Sequence, residues 1–544
     1  MSPTPRLDAC TIVARNYLAH ARSVAESFLE HHPGATFTVL LIDGEGGERA
    51  GSGVEVLGVT EIGLDAAELG RMATLYDVVE IATAYKPFLL RHLLGRGRGP
   101  VAYLDPDIVV YTPLVEVAEL AAERSIVLTP HTTEPMPRDG LVPGETQILS
   151  VGVYNLGFVA VGPGAERFLD WWGERLARDC INAVTQSLFV DQRWVDFVPC
   201  YFDCAILRDA GHNVAYWNLS SRRVARWGPG HTVNGRPLRF FHFSGYSPDR
   251  PHELSKFQAG RARITLDDPV LAELCAGYGR RLLDRGYAEA RAARFGGDQL
   301  PNGLHLDGTM RRLYRRELLA AERAGHPEPP SAFAADGGDG FLAWLRAPVG
   351  GRPDLSRYLH ALWTGHAGLQ AAFPEATTGD PHGYLDWLRR EGAAQVGVPA
   401  ELLPGATGRP AGHARETLLA GARAAVDQAF ADEVADDPAV LGHYAVHVAA
   451  DDDVSLVLLL PADDASGLEE RLLAAVEAAG LGDDSPDLLA VAHAPEDLPG
   501  LAHAAQAVLT HRPPVGPLVA TPHLRVEELD RLGRLLPTER RRAA

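Results

Sequence analysis

Short apolar runs alternate with helical patterns over the first 260 residues of the chain. The runs rich in β-branched and aromatic residues predict strands at residues 10–14, 37–42, 54–57, 101–104, 126–128, 153–161 and 239–243. Apolar residues with a period near 3.6 predict a helix over residues 17–31, which ends at the breaker His32-Pro33-Gly34. A second helical stretch over residues 73–94 is expected to restart at Pro87, because proline suits a first helical turn. This alternation predicts an α/β sheet with crossover helices.

The pattern changes after residue 260. Helical periodicity with Pro- and Gly-bearing loops predicts a helical domain over residues 261–403, and the segment 404–412 reads as a linker. Beyond it, residues 454–460 and 488–492 predict strands, while residues 468–479 and 501–509 predict helices. The sequence thus predicts a first domain over residues 1–260 and a small acidic α/β module over residues 413–544.

Acidic residues outnumber basic ones by 71 to 51, so the formal net charge is −20. This charge argues against a nucleic-acid-binding protein, whose affinity depends on neutralising phosphates. No stretch approaches 18 uncharged apolar residues, and the first eight residues lack a signal-peptide pattern, so we expect a cytoplasmic protein. The arginines at 540–542 allow at most a peripheral contact with acidic lipid.

The strongest local signal is the segment Val101–Leu104 followed by Asp105-Pro106-Asp107. An apolar run of this kind predicts a strand buried on both faces, and Pro106 is expected to end its regular pairing. The two carboxylates then project from one face at the carboxyl end of the strand, where open α/β sheets bind ligands. A hard divalent cation would relieve their mutual repulsion and could in turn hold a diphosphate.

Two further segments could complete such a site. In residues 239–245, strand alternation places Phe240, His242 and Ser244 on one face; His242 is either a hydrogen-bonded core residue or a metal ligand that favours Mn²⁺ over Mg²⁺. Asp191, which lies beside aromatic residues, either caps the local backbone or pairs with Arg193, or it faces an electrophilic sugar carbon and stabilises its positive charge.

Read together, these pieces resemble the family-8 glycosyltransferases over about residues 9–258, just under half of the chain. The resemblance depends on the order and spacing of five motifs: Asn16-Tyr17, Asp105-Pro106-Asp107, Asn155-Leu156-Gly157, Asp191-Gln192 and His242-Phe243-Ser244-Gly245. It implies a retaining, Mn²⁺-dependent enzyme with a GT-A fold, which is a nucleotide-sugar-binding mixed sheet with flanking helices.

The resemblance also implies a role for each motif. The implied ligands of Mn²⁺ (or Mg²⁺) are Asp105, Asp107 and His242. The implied donor-binding residues are Ala14, Asn16, Tyr17, Lys86, Asp105, Asn155 and Lys256. The implied catalytic residues are Asp191 and Gln192.

Lysine is rare in this chain, since only Lys86 and Lys256 are lysine among 51 basic residues. A lysine retained among arginines favours a place where a compact ammonium works and a guanidinium does not. Lys86 stands where the family commonly carries a basic residue near the diphosphate. The family's lysine shortly after the histidine motif is absent at its usual spacing, and either Arg250 or Lys256 would replace it. Arg15 stands where the family often has an acidic residue near the base.

The sequence therefore predicts a transferase that moves a hexose from a UDP-sugar to a hydroxyl of a glycan or other acceptor. One alternative is a sugar-phosphate nucleotidyltransferase, but the residues after the first strand, Ala14-Arg15-Asn16-Tyr17, lack the Gly-rich phosphate loop expected there. A second alternative is a non-catalytic sugar-binding or scaffold protein of the same fold.

Overall fold

The structure is a computed structural model, and it separates the chain into two compact units, Met1–Asp298 and Gln299–Ala544. It describes residues 5–44, 53–258, 260–349, 352–403, 419, 422–423, 425–450, 452, 454–461, 465–481, 485–493, 501, 505–510, 523–525 and 528–529. The sequence pattern changes at residue 260, whereas the boundary between the two compact units lies after Asp298. The division of the chain into four parts, which was made from the sequence pattern, stays a prediction. The predicted linker at 404–412 and the arginines at 540–542 lie outside the described residues.

The first unit has a mixed α/β architecture. Its strands are β1 Asp8–Val13, β2 Phe37–Leu41, β3 Val54–Gly58, β4 Val101–Leu104, β5 Ile108–Val110, β6 Ile126–Pro130, β7 Tyr154–Val161, β8 Asn182–Ala183, β9 Leu188–Phe189, β10 Ala205–Ile206, β11 Val224–Trp227, β12 Gly230–Val233, β13 Arg236–Pro237 and β14 Phe240–His242. Its helices are α1 Leu18–His31, α2 Ala66–Leu75, α3 Val78–Ala84, α4 Lys86–Leu94, α5 Val115–Arg124, α6 Glu145–Val151, α7 Glu166–Asp179, α8 Val198–Tyr201, α9 Pro269–Leu283 and α10 Tyr287–Ala292.

Across the described residues, seven strands form the main sheet in the order β10-β6-β7-β4-β1-β2-β3. β7 runs antiparallel to both of its neighbours, whereas the other pairs are parallel. β1, β2 and β4 are buried along their whole length, as their continuous apolar runs predict. The predicted mixed α/β sheet with flanking helices is confirmed.

The helical stretch predicted over residues 73–94 consists of parts of three helices. The additional break comes before α3, where the Asp77 carboxylate accepts hydrogen bonds from the backbone N–H groups of Val79 and Glu80 and so caps a new helix. The restart near Pro87 is confirmed, since α4 begins at Lys86 with the proline in its first turn.

A short antiparallel pair outside the main sheet joins distant parts of the sequence. β14 pairs with β5, and this register places His242 opposite Ile108. The pairing continues beyond the strands, because the Phe243 N–H donates to the carbonyl of Asp107 at 2.9 Å. The histidine motif therefore lies beside the acidic motif even though 135 positions separate His242 from Asp107.

The second unit begins with helices and ends with a sheet. Its helices are α11 Gly308–Ala324, α12 Asp339–Arg346, α13 Arg357–Gly365, α14 Ala367–Ala372, α15 His382–Trp387, α16 Ala393–Val396, α17 Ala431–Asp436, α18 Ala439–His447 and α19 Ala465–Ala478. Its strands are β15 Pro348–Val349, β16 Arg352–Ser356, β17 Ala425–Phe430, β18 Val454–Pro461, β19 Asp487–His493, β20 Ala507–Leu509 and β21 His523–Leu524. In the described part of this unit, five parallel strands follow the order β19-β18-β17-β20-β21.

Two sequence predictions for this sheet need correction. The helix predicted over residues 501–509 is wrong at its end, because Ala507–Leu509 is a strand between β17 and β21, and sheet pairing overrides the helix propensity of an Ala-rich segment. The sequence analysis also missed β17, since the buried Asp427 and Gln428 interrupt its apolar pattern. In the described part of the chain, no helix is long and apolar enough to cross a membrane.

Candidate active site

A cleft of about 860 Å³ lies at the carboxyl ends of β1 and β4. The predicted site residues that line it are Asn16, Tyr17, Lys86, Asp105, Asp107, Asn155, Asp191, Gln192, His242 and Lys256. Ala14 is buried at the end of β1 and is absent from the described lining. The fold therefore brings ten of the eleven predicted residues to one place, from segments spread over 240 positions.

Two acids and a histidine meet at the end of β4. Asp105 and Asp107 lie in a tight turn, closed by the Ile108 N–H donating to the Asp105 carbonyl at 3.1 Å, with Pro106 at its second position. His242 Nε2 lies 3.0 Å from Asp107 Oδ1 and 3.8 Å from Asp105 Oδ2. One ligand atom from each residue falls within 4.8 Å of the others, so this group could hold a metal ion.

The backbone facing this cluster leaves room only for glycine. Gly157, on β7, accepts a hydrogen bond from the Asp105 N–H at 2.7 Å. A Cβ at this position would lie 2.3 Å from His242 Cε1 and 2.9 Å from Asp105 Oδ2. The carboxylate and imidazole donors are a set that suits Mn²⁺, and the space kept free at Gly157 lets them converge.

Asp107 and His242 shift each other's pKa. Burial lowers the pKa of His242, but Asp107 and Asp105 outweigh burial and raise the pKa above its usual value. Burial also raises the pKa of Asp107, but the neighbouring His242 outweighs it and lowers the pKa. A cation that binds here must displace the imidazole proton, as is general for histidine ligands.

Behind the metal cluster, a buried polar network fixes the imidazole. The Asn155 Oδ1 atom lies 3.3 Å from His242 Nδ1 and accepts a hydrogen bond from Asn213 Nδ2 at 3.0 Å. The indole of Trp217 meets the His242 ring edge to face, with the ring centroids 5.2 Å apart. These contacts restrict the rotation of His242 and leave Nε2 directed at the acids.

Next to the cluster lies a buried ion pair. Lys86 is 1% exposed; its Nζ lies 2.8 Å from Asp191 Oδ2 and 3.6 Å from Asp105 Oδ1, and it donates to the Leu156 carbonyl at 2.8 Å. The Tyr103 ring lies 4.4 Å below this ammonium, and its hydroxyl donates to Asp105 Oδ1 at 2.9 Å. Lys86 thus touches the acids of both predicted groups, which the sequence position alone did not indicate.

Charge is retained on both members of the pair. Burial disfavours the ammonium, but Asp191 and Asp105 outweigh it and raise the pKa of Lys86. Burial raises the pKa of Asp191 to about 6, against the opposing effect of Lys86. Asp191 is therefore ionised at neutral pH although it is only 2% exposed.

The backbone around Asp191 is strained and anchored. Val190, a β-branched residue, has a φ of 40°, in the left-handed region that such residues rarely adopt. Gln192 Oε1 accepts from the Leu156 N–H at 3.0 Å, and its Nε2 donates to the Val151 carbonyl at 3.0 Å. Of the interpretations of Asp191, pairing with Arg193 is wrong, because Arg193 pairs with Asp196.

The other end of the cleft carries cations and unpaired polar atoms. Arg250 pairs with Glu253 and Arg291 with Asp249, whereas no described carboxylate pairs with Lys256. Two buried cleft atoms, Asn16 Oδ1 and His20 Nδ1, have no described hydrogen-bond partner. His20 stacks on Tyr17 at 4.4 Å, and burial lowers its pKa to about 4, so it is neutral at pH 7.

Sequence reasoning missed many of the lining residues, among them His20, Trp217, Tyr287 and Arg291. Tyr287 and Arg291 belong to α10, in the segment assigned to the helical domain. The helical period of that segment hid its part in the cleft. The most useful indication of these missed residues in the sequence was the dipeptide Trp217-Asn218, which lies shortly after the buried Asn213.

No protein-family model matches the chain. Two proteins of Bacillus subtilis (strain 168), YfnF and YfnD, both described as uncharacterized, are each 25% identical to it over 253 residues; these cover 44% of this chain and 80% and 77% of the two relatives.

Three solved structures show a partial likeness. The galactosyltransferase LgtC, in complex with donor and acceptor sugar analogs, has a TM-score of 0.31 at 14% identity and covers 50% of this chain and 95% of its own. The WbbM bifunctional glycosyltransferase has a TM-score of 0.31 at 12% identity and covers 52% of each chain. A glycosyltransferase involved in the glycosylation of the major capsid of PBCV-1 has a TM-score of 0.25 at 9% identity, covering 43% of this chain and 93% of its own.

Proposed function

We propose that this protein is a metal-dependent glycosyltransferase that moves a hexose from a UDP-sugar to an acceptor hydroxyl with retention at the anomeric carbon. One observation carries the proposal: a potential metal cluster, Asp105, Asp107 and His242, lies in the same cleft as the buried, charged pair of Lys86 and Asp191. The first group suits a diphosphate leaving group, and the second suits a sugar carbon that gains positive charge.

Mn²⁺ is the proposed cofactor, held by the two carboxylates and the imidazole. When bound, it would supply Lewis-acid stabilisation of the negative charge on the departing diphosphate. Gly157 keeps the space that lets these three side chains converge, and Asn155 and Trp217 hold the imidazole in place. Mg²⁺ is the alternative cofactor at the same site, because the carboxylate oxygens of Asp105 and Asp107 also suit it.

Lys256 and Arg250 are the proposed diphosphate contacts among the cations of the cleft. Lys256 is the stronger of the two, because no described carboxylate competes for its ammonium, whereas Glu253 lies 3.2 Å from Arg250. Asn16, Tyr17 and neutral His20 would bind the nucleoside, because their unpaired polar atoms and stacked rings face the cleft.

Asp191 is the proposed catalytic carboxylate. It lines the cleft and is only 2% exposed, and at such a buried position a fixed negative charge stabilises a developing oxocarbenium ion far more than it would in water. Lys86 keeps it ionised and oriented, while Gln192 anchors the adjoining backbone to α6 and β7. The intact set of charged residues favours turnover over a purely sugar-binding role.

A donor screen tests the proposal. The full chain is melted with a panel of nucleotide sugars, with and without Mn²⁺, and the donor that stabilises it is assayed for hydrolysis and transfer. A donor at 100 times its Kd should add about 2.7 kcal/mol of stability. Asp107→Asn should abolish the Mn²⁺-dependent part of that gain. Asp203→Asn is the matched control, because this exposed acid pairs with Arg124 away from the cleft. Equal Mn²⁺ dependence in both variants contradicts the proposed metal site.

A further inference from the structure

One side of the cleft is lined by apolar side chains, and we name it the apolar wall. Its members are Val79 on α3, Pro143, Ile148 and Val151 on α6, Phe189 on β9 and Val190. Val79 is 59% exposed, so its side chain is accessible to a ligand. Isolated exposed apolar residues are ordinary on a protein surface, but several that line one ligand cleft indicate the character of the ligand.

The apolar wall is attached directly to the proposed catalytic carboxylate. Phe189 and Val190 immediately precede Asp191, and the Gln192 amide donates to the carbonyl of Val151 at 3.0 Å. The backbone N–H of Asn182 donates to Glu80 Oε1 at 2.8 Å, which ties the β8–β9 hairpin to the helix that carries Val79. These connections hold the wall at a fixed position beside the reacting centre.

Charge divides the cleft into two parts. Arg250, Lys256 and Arg291 line it on the side of Asn16 and Tyr17, where a diphosphate finds its cations. By contrast, among the described lining residues on α3, α6, β9 and the Pro143 loop, none carries a charge; the polar ones are Thr83 and Gln147. A phosphorylated or otherwise anionic group would find no counter-charge on this side.

We infer that the acceptor carries an uncharged apolar group next to its reacting hydroxyl, as an alkyl or aryl glycoside does, and that this group binds the apolar wall. The inference depends on the proposed function, because it assigns the wall to the second substrate of that reaction. The donor occupies the cationic side with its diphosphate, so the acceptor must approach Asp191 from the side that remains. When the acceptor's apolar group binds the apolar wall, its surface is removed from water, and this is the main source of affinity for such a group.

Alkyl glycosides of two lengths test the inference. Hexyl and methyl β-glycosides of glucose, galactose and mannose are titrated calorimetrically into the full chain with UDP and Mn²⁺, below the concentration at which hexyl glycosides aggregate. Each methylene that leaves water multiplies the affinity by about fourfold, so a partly buried hexyl chain should bind at least about tenfold more tightly than methyl. The quantity compared between variants is the hexyl-to-methyl ratio of affinities.

Val79→Asp should bring this ratio close to one, because a carboxylate would then face the alkyl chain. An acid in the first turn of a helix is compatible with the fold. Val79→Asn should act in the same direction without adding charge. Leu283→Asp, which changes a leucine that is 56% exposed on α9 outside the described cleft lining, is the matched control and should keep the wild-type ratio.

The outcomes separate the inference from the proposed function. A protein that binds no UDP in the presence of Mn²⁺ contradicts the proposed function. A protein that binds UDP but binds hexyl and methyl glycosides equally, or binds neither, contradicts the inference alone. A hexyl preference that survives both Val79 variants also overturns the inference, because the alkyl chain then binds elsewhere.

Discussion

The substitution Gly157→Ala tests the geometry of the proposed metal site with a single methyl group. Gly157 lies within β7 in an ordinary strand conformation, so alanine is compatible with its backbone. Without a clash, the exchange would stabilise the protein by about 0.4–1 kcal/mol, because it reduces the freedom of the unfolded chain. Any loss of stability or metal binding must therefore come from the space that the methyl group takes.

The size of the effect follows from the distances. The new Cβ would lie 2.3 Å from His242 Cε1 and 2.7 Å from its Nδ1, whereas ordinary contacts begin at 3.4 Å. The imidazole must move by about 1 Å, because β7 is held between β4 and β6 and cannot retreat. Overpacking of this kind costs about 1–3 kcal/mol of stability. Displacing a ligand by this much should weaken Mn²⁺ binding by at least about 100-fold, since even supporting residues contribute 10- to 100-fold.

Mn²⁺ binding is measured directly by the loss of the free-ion electron paramagnetic resonance signal, and stability by urea denaturation. Gly230→Ala is the control, because its Cβ would meet no atom closer than 3.9 Å, and it should bind Mn²⁺ as the wild type does. If Gly157→Ala binds Mn²⁺ with wild-type affinity, His242 is not a ligand in the arrangement described above, and the proposed site is wrong.

Three further predictions concern buried carboxylates and their partners. Asp191→Asn keeps the shape and removes the charge, so kcat should fall by roughly 10²–10³ while the Kd for donor changes little; an equal loss in both would assign Asp191 to donor binding. Lys86→Met should cost roughly 3–5 kcal/mol in urea denaturation, since it leaves a buried carboxylate unpaired, and adding Asp191→Asn should recover part of that loss; additive losses would show that the pair does not interact. Burial raises the pKa of Asp427 to about 6, so the folded C-terminal unit holds a proton that the unfolded chain releases near pH 4. Its stability should therefore fall by about 2 kcal/mol as the pH rises from 4 to 6, and Asp427→Asn should remove this slope, whereas an unchanged slope would assign it to other groups.

The sequence pattern predicted six of the seven strands of the main sheet, because these six are largely buried; it missed β10, whose two residues are only partly buried. A parallel strand covered on both faces has no polar side, so its apolar run is visible without knowledge of its partners. β17 fails this test, since Asp427 and Gln428 are fully buried within it and the first of them accepts a hydrogen bond from Tyr444 at 2.9 Å. Polar residues that are satisfied by distant partners give no local signal, and the strand was missed for that reason.

In the candidate site, too, some contacts between residues could be predicted from the sequence and others could not. Asp105 and Asp107 could be recognised from sequence because one strand end positions both. Lys86 was expected near a diphosphate, but its exposure could not be read from the sequence, and in the structure its ammonium is enclosed by Asp191, Asp105 and the Leu156 carbonyl. Contact of Lys86 with a donor remains a prediction.

Asp105 belongs both to the proposed metal cluster and to the surroundings of the Lys86–Asp191 ion pair. Substitutions at Asp105 and at Asp107 therefore test different things. Asp105 Oδ2 lies 3.8 Å from His242 Nε2, while its Oδ1 accepts from the Tyr103 hydroxyl and lies 3.6 Å from Lys86 Nζ. Removing this carboxylate would alter the proposed cation site and the field around Asp191 together, so a loss of turnover could not be assigned to either. Asp107 contacts His242 at 3.0 Å, and Lys86 pairs with Asp105 and Asp191 rather than with it. Substitution at Asp107 therefore tests the proposed metal site without removing a partner of Lys86, and substitution at Asp191 tests the charge that is proposed to act at the sugar.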